Sequence, residues 1–478
     1  MKTDNQTSTK KAWAKALTNP APEFPPTQLP VLSGQIPEGL RGTLYRNGPG
    51  RLERGGDRAG HWFDGDGAIL AVHFRDRTAT ALYRYVQTAG YQAETAAGKF
   101  IYSNYGMTAP GPLWQRWGKP VKNAANTSVL ALPDKLLALW EGDNPHALDL
   151  ETLETRGLDN LGGLDNTLPY SAHCKRDPDT GYIFNFGITA GAKGKLNLYK
   201  SNPTGKIVQK TTFLLDGIPA IHDFVMAGRY LVFFVPPLRL NPLPLLAGLR
   251  CYSESFDWKP QLGTQILVFD RETLSLVSRS ETDPWFQWHF ANGWVDSTGA
   301  IIINLVEYQD FTTNQYLKEV ATGQTTTLAK ATLWQVRIEP ETAKVQQAEE
   351  ILNRHCEFPV VSPSEVGQPS RYTYLSVRRE GVDISQEMFG AIARFDSLTG
   401  NLTCADFGEN CYPTEPIYAR DAIDRDRGWI LTLVYDGNSH TSAVWIFDSL
   451  DLAGAPVCRL GLPSVVPMGF HGTWKPAI

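Results

Sequence analysis

The chain has 478 residues, a formal net charge of −5, 42% hydrophobic residues and 20% charged residues. This is a globular composition, long enough for a large core, and it excludes a nucleic-acid protein, which would carry a basic stripe. Six thinly spread cysteines without a CxxC pair exclude a zinc ribbon and a disulfide scaffold and suit a reduced, cytoplasmic setting.

The first residues, MKTDNQTSTKKAWAKAL, lack the apolar core of a signal peptide, and no apolar run in the chain reaches spanning length. Lys10, Lys11, Trp13, Lys15 and Leu17 suggest a short basic amphipathic turn that touches a membrane, or else a solvated tail. Pro20, Pro22, Pro25 and Pro26 then force an extended lead-in. Residues 1–28 therefore read as a tail and residues 29–478 as one domain.

From about Leu29 onward, short β-rich runs alternate with turn residues. GTLYRNGPG (42–50) and HWFDGDGAI (61–69) hold tight turns around Asp64 and Asp66. DGDG is a poor calcium loop, because the later acidic ligands are missing. Hairpin signals recur at 147–158, 198–210, 266–279, 333–347, 392–405 and 444–460, each a β-former run turning at Asp, Asn, Pro, Thr or Gly. Such recurrence along the whole chain predicts a β-propeller, with repeats too diverged for a blade count. VPPLRLNPLPLLAGLR (235–250) is broken by prolines, yet dense in leucine: Leu238, Leu240, Leu243, Leu245, Leu246 and Leu249. If exposed, that run forms an apolar patch able to dip into a bilayer surface.

Four histidines stand in distinctive contexts: His173 in PYSAHC, His222 in AIHDF, His289 in WHFANGW and His471 in GFHGTW. None lies within a helical turn of another, so only a closed fold could bring them together. Inner strands of a propeller converge on one axis and offer such a meeting place. Neutral imidazoles suit Zn, Cu, Fe or Ni, and they need their second ring nitrogen held by an acceptor. Glu141 after KLLALW, Glu357 in HCEFPVV and Glu415 in TEPIY are carboxylates in apolar surroundings that fit this role. His355, Cys356 and Glu357 stand in a row, but neighbouring strand residues face opposite ways. No nucleophile elbow, P-loop or dinucleotide fingerprint is present.

The segments LYRNGPG, HWFDGDG, KNAANT, LLALWEG, PYSAH, IHDF, HFANG, CEFP, EPIY and GFHGTW together resemble the carotenoid cleavage oxygenase family, from about residue 35 onward. That resemblance implies a seven-bladed propeller with a helical or loop cap. It implies one Fe(II) per chain on His173, His222, His289 and His471, no organic cofactor, and orienting roles for Glu141, Glu357 and Glu415. Thr127 matches a threonine whose methyl crowds an open iron position. Trp140, Trp288 and Phe358 adjoin these positions and are candidates to line a substrate tunnel, where Ala220 leaves room. The expected reaction joins O2 to a double bond of a lipophilic polyene, most simply a β-apocarotenal cut to retinal, at a peripheral membrane contact. Stilbene cleavage, with Lys122 near the pocket, and a non-catalytic scaffold are the alternatives.

Overall fold

The computed structural model describes residues 11–116 and 121–477. The fold is all-β and propeller-like, with little helix. Among the described residues six sheets hold four or more strands, so the expected seven blades are not seven separate sheets. One sheet has eight strands and consists of two four-stranded meanders. Their first strands, Val225–Ala227 and Phe290–Val295, meet in parallel only at Ala227 and Gly293.

All six expected hairpins form, and each is the outer pair of strands of a meander. Their turns share one device. Asp149, Asp270, Asp396 and Asp448 end their strands and accept backbone N–H groups two or three residues on. That is Asx-turn chemistry, and it stops each strand at a fixed place.

Strands here are buried on both faces, so alternate residues feed opposite neighbours. On the adjacent strands Gly42–Arg51 and Asp66–Arg75, Leu44, Leu70 and Val72 pack toward the last sheet, whereas Tyr45, Ile69 and Ala71 pack toward the second. Similar apolar layers join each sheet to the next around a closed ring. Both chain ends lock the ring. Gly472–Pro476 pairs with Gly42–Arg51, and Val31–Gly34 pairs with Cys458–Gly461.

The expected boundary at 28/29 is corrected. Phe24–Gln28 is the edge strand of the first sheet, paired with Thr78–Tyr85. Upstream, Ala12–Leu17 is a short 3-10 helix whose Trp13 is fully buried and donates its indole N–H to the Gln386 carbonyl at 3.0 Å. Trp13 and Leu17 pack among Tyr316, Met388 and Tyr412, while Lys11 pairs with Glu387 at 2.8 Å. The apolar face of that turn is thus spent on the protein's own core, not on a membrane or on solvent. Residues 1–10 of the expected tail, Lys10 included, lie outside the described residues.

The Leu-rich run divides. Leu238 is buried in the core, Leu240 and Leu245 are half-buried, and Leu243, Leu246 and Leu249 are 75, 74 and 64% exposed. Pro242–Leu246 forms one short helix whose prolines sit where a helix can accept them, in the first turn. No helix among the described residues is long and apolar enough to cross a membrane.

Candidate metal centre

The four histidines meet. Each lies within three residues of the start of an innermost strand: Lys175–Arg176, Val225–Ala227, Phe290–Val295 and Gly472–Pro476. All four are buried, and their ligand atoms lie within 4.8 Å of one another. Successive Nε2 atoms stand 2.9 Å (His173 to His222), 3.4 Å (His222 to His289) and 3.1 Å (His289 to His471) apart.

The three expected carboxylates reach the outward ring nitrogens. Glu141 Oε1 touches His222 Nδ1. Glu357 Oε2 lies 2.5 Å from His289 Nδ1, and Glu415 Oε1 lies 2.8 Å from His471 Nδ1. Among the described residues His173 has no carboxylate on its ring. Two of these carboxylates are themselves held, whereas the Glu141 side chain is 40% exposed. Glu357 accepts from the Tyr308 hydroxyl (3.0 Å) and the Phe358 amide (2.7 Å). Glu415 accepts from the Gly472 amide at 2.8 Å and faces Arg46 at 3.5 Å.

Burial and the neighbouring imidazoles hold His173 and His289 well below the ordinary histidine range. Burial would do the same to His222, but the Glu141 carboxylate outweighs it and raises that ring. Burial lifts Glu357 to about 7. Burial also opposes ionisation of Glu415, yet His471 and Arg46 keep it below the usual carboxylate range.

These contacts decide what the centre can hold. An acceptor on Nδ1 keeps the ring proton there and leaves Nε2 a bare lone pair. Several bare lone pairs about 3 Å apart repel, unless a cation sits among them. Imidazole nitrogens at ~2.0–2.1 Å from a divalent ion and at right angles to each other are about 3 Å apart. The donor set therefore fits one borderline-soft divalent ion. Replacing Glu141 by Gln, which keeps the shape but loses the charge, is expected to weaken metal affinity by about 10–100-fold. Competition with a chelator followed by elemental analysis checks this, and an unchanged affinity would sink the orienting role.

A cavity of about 380 Å³ ends on His222, His289 and His471, and Thr127, Trp140, Trp288, Phe358 and Ala220 all line it. Trp288 packs edge-on to His222 with centroids 4.8 Å apart and donates to Thr313 Oγ1 at 3.1 Å. Phe358 takes a left-handed backbone (φ +52°), which costs of order 1–3 kcal/mol in a non-glycine residue. Its ring lies 5.4 Å from both His289 and His471. The Thr127 carbonyl accepts the His471 amide, and its hydroxyl donates to Asn126 Oδ1, each at 3.2 Å.

Other wall residues carry no signal in the sequence. Tyr105, Tyr252, Phe256, Phe286 and Phe311 come from connections and strand ends with no motif. Phe63 belongs to HWFDGDG, a segment expected to serve as turns alone, and it packs at 5.7 Å on Trp288. The acidic pair of that segment does not form a cation loop. Asp66 pairs with Arg54 (2.6 Å) and Lys122, and Asp64 accepts the Gly106 amide at 2.8 Å. Lys122 also pairs with Glu94 at 2.7 Å and is absent from the cavity wall, where the stilbene alternative would use it.

A ring of sheets with four imidazoles converging beside an apolar cavity defines a propeller-like protein with a candidate metal centre. The profile of the RPE65 family (retinal pigment epithelial membrane protein) matches residues 17–476. The chain is 33% identical to the apocarotenoid-15,15′-oxygenase of Synechocystis sp., over 93% of this chain and 92% of that one. It is 26% identical to resveratrol cleavage oxygenase 1 of Aspergillus fumigatus, over 92% of this chain and 91% of the other. A crystal structure of cobalt-substituted Synechocystis ACO superposes with a TM-score of 0.89 at 32% identity, covering 98% of both chains. The chain belongs to the RPE65/carotenoid cleavage oxygenase family, and it is an enzyme of that family.

Proposed function

We propose that the protein is a non-haem Fe(II) dioxygenase that cuts a double bond of an apocarotenoid, with a β-apocarotenal cut to retinal as the first reaction to test. The observation that carries this reading is the aromatic and aliphatic cavity that ends on three of the four histidines. A long apolar polyene matches such a wall, and one of its double bonds would lie beside the metal. Bound Fe(II) would supply O2 activation. The chain's own work is to hold four neutral ligands in place, exclude water and fix the polyene.

We assign the Thr127 methyl to crowding one open metal position, and Trp140, Trp288 and Phe358 to the tunnel wall. Glu141, Glu357 and Glu415 keep their ring protons on Nδ1. We count the eight-stranded sheet as two blades, which gives a seven-bladed ring capped by the connections that carry Tyr105, Tyr252 and Phe311. The 33% identity to an apocarotenoid oxygenase supports the substrate class. Lys122, held by Asp66 and Glu94, supports it over a phenolic stilbene.

Fe(II)-loaded protein, incubated in air with a β-apocarotenal and separately with a hydroxystilbene, tests the reading by mass spectrometry of products. Retinal from the first and nothing from the second is expected. Aromatic aldehydes from the stilbene alone would overturn the substrate class.

We further assign Leu243, Leu246 and Leu249 to a peripheral contact with a membrane surface on the cytoplasmic side. Their exposure supports this, as does Leu240, which stands on the cavity wall in the same segment. The triple variant L243S/L246S/L249S is expected to bind phosphatidylcholine/phosphatidylglycerol vesicles at least about tenfold more weakly, since each buried leucine is worth ~1.5–3 kcal/mol. Unchanged co-sedimentation would remove the patch from that role.

A further inference from the structure

One part of the cavity wall is not apolar. Arg378, at the end of Tyr372–Val377, is 3% exposed and lines the same cavity as the histidines. Its guanidinium lies 4.5 Å over the Phe389 ring and 5.4 Å over the Tyr316 ring. Nη2 donates to the Tyr316 hydroxyl at 2.8 Å, whereas Nε and Nη1 have no partner. No carboxylate among the described residues pairs with it, although most other buried cations of the chain are paired, as Arg54 and Lys122 are. His355, beside it on the wall, is stacked on Phe389 at 5.5 Å and bonded through Nδ1 to the Ala331 backbone.

A buried cation without a counter-charge is costly, and aromatic faces offset only part of that cost. The guanidinium fork matches a carboxylate, so a ligand bringing one would supply the missing counter-charge. A neutral aldehyde or ester would accept one hydrogen bond and leave the charge unpaired. The position is also informative. Phe358, which packs on His289 and His471, is 6.2 Å from Phe389, and Phe389 lies beneath Arg378. A fixed path of aromatic rings therefore separates the cation from the metal centre.

We propose that Arg378 is the anchor for a carboxylate at one end of the polyene, so that the distance from Arg378 to the histidines selects which double bond is presented. The proposal rests on the apocarotenoid reading and narrows it to substrates whose terminal carbon is oxidised to the acid. Arg378 is on this account a specificity residue that touches the substrate end.

The test is binding, read by quenching of tryptophan fluorescence in the full-length protein, with all-trans-retinoic acid and its methyl ester as probes. The wild-type chain is expected to bind the acid about tenfold to a hundredfold more tightly than the ester, the range of one hydrogen-bonded charge pair. Arg378→Met is expected to abolish that preference with little change for the ester, and Arg378→Lys to keep part of it. The wild-type comparison needs no variant, so a misfolded Arg378→Met leaves the proposal open to refutation. Equal affinity of the wild-type chain for acid and ester overturns the anchor and leaves the cleavage reaction standing. Acid preference without turnover of either a β-apocarotenal or the corresponding β-apocarotenoic acid overturns the reaction and leaves the anchor standing. Failure to bind either probe overturns the anchor, and the product assay decides the reaction separately.

Discussion

His289→Ala is expected to reduce bound metal to background and to lower turnover by about a thousandfold or more, since a metal's charge stabilisation is worth several kcal/mol and each ~1.4 kcal/mol is tenfold. His289 is central in the chain of contacts, with Nε2 at 3.4 Å from His222 and 3.1 Å from His471. Its loss also strands Glu357, a buried carboxyl already lifted to about 7, with only Tyr308 and the Phe358 amide as partners. The effect should therefore exceed that of Glu141→Gln, which leaves every ligand nitrogen in place. Metal per chain by elemental analysis and oxygen uptake with substrate are the two readings, with circular dichroism to confirm the fold. Full metal occupancy with wild-type turnover would remove His289 from the ligand set.

The second large effect lies away from the metal. Lys122, Arg54, Asp66 and Glu94 form a buried quartet of two cations and two anions, each 4% exposed or less. It ties the helix Ala89–Ala97, the segment before Thr127 and the HWFDGDG turn to one another. Lys122→Met leaves two buried carboxylates facing one guanidinium, and breaking a buried pair in this way costs about 3–5 kcal/mol. The urea midpoint should fall accordingly, and adding Glu94→Gln should recover part of it. An unchanged midpoint would show that the quartet contributes nothing net. In the variant that does fold, apocarotenoid turnover should persist, because Lys122 is off the cavity wall.

Much of this architecture is legible in the sequence. The outer hairpins announced themselves because an acidic or amide side chain stops each one. The outer layer of the first sheet stayed hidden because its edge strand, Phe24–Gln28, is contributed from far upstream and makes no hairpin. The histidines and their carboxylates were readable because a charged group flanked by apolar residues needs a reason to be there. Proline-broken leucines and a basic amphipathic turn carry no such directionality. Leu238 and Trp13 went inward, while Leu243 and Leu246 stayed outside. The buried quartet was invisible for another reason. Its members look like ordinary surface charges until the fold pairs them, and the same holds for Arg378.

The ring closes late. His471 directly precedes Gly472–Pro476, the strand that zips onto Gly42–Arg51, and its amide is bonded to Thr127. A ribosome delivering the chain from its N-terminus will therefore have released three ligands, each able to capture stray metal, well before the fourth exists. On the proposed ligand set, a full complement of metal ligands therefore waits on His471. A chain ending before His471 would hold an incomplete, open-sided centre, and such fragments are expected to bind metal more weakly than a chain that carries all four histidines.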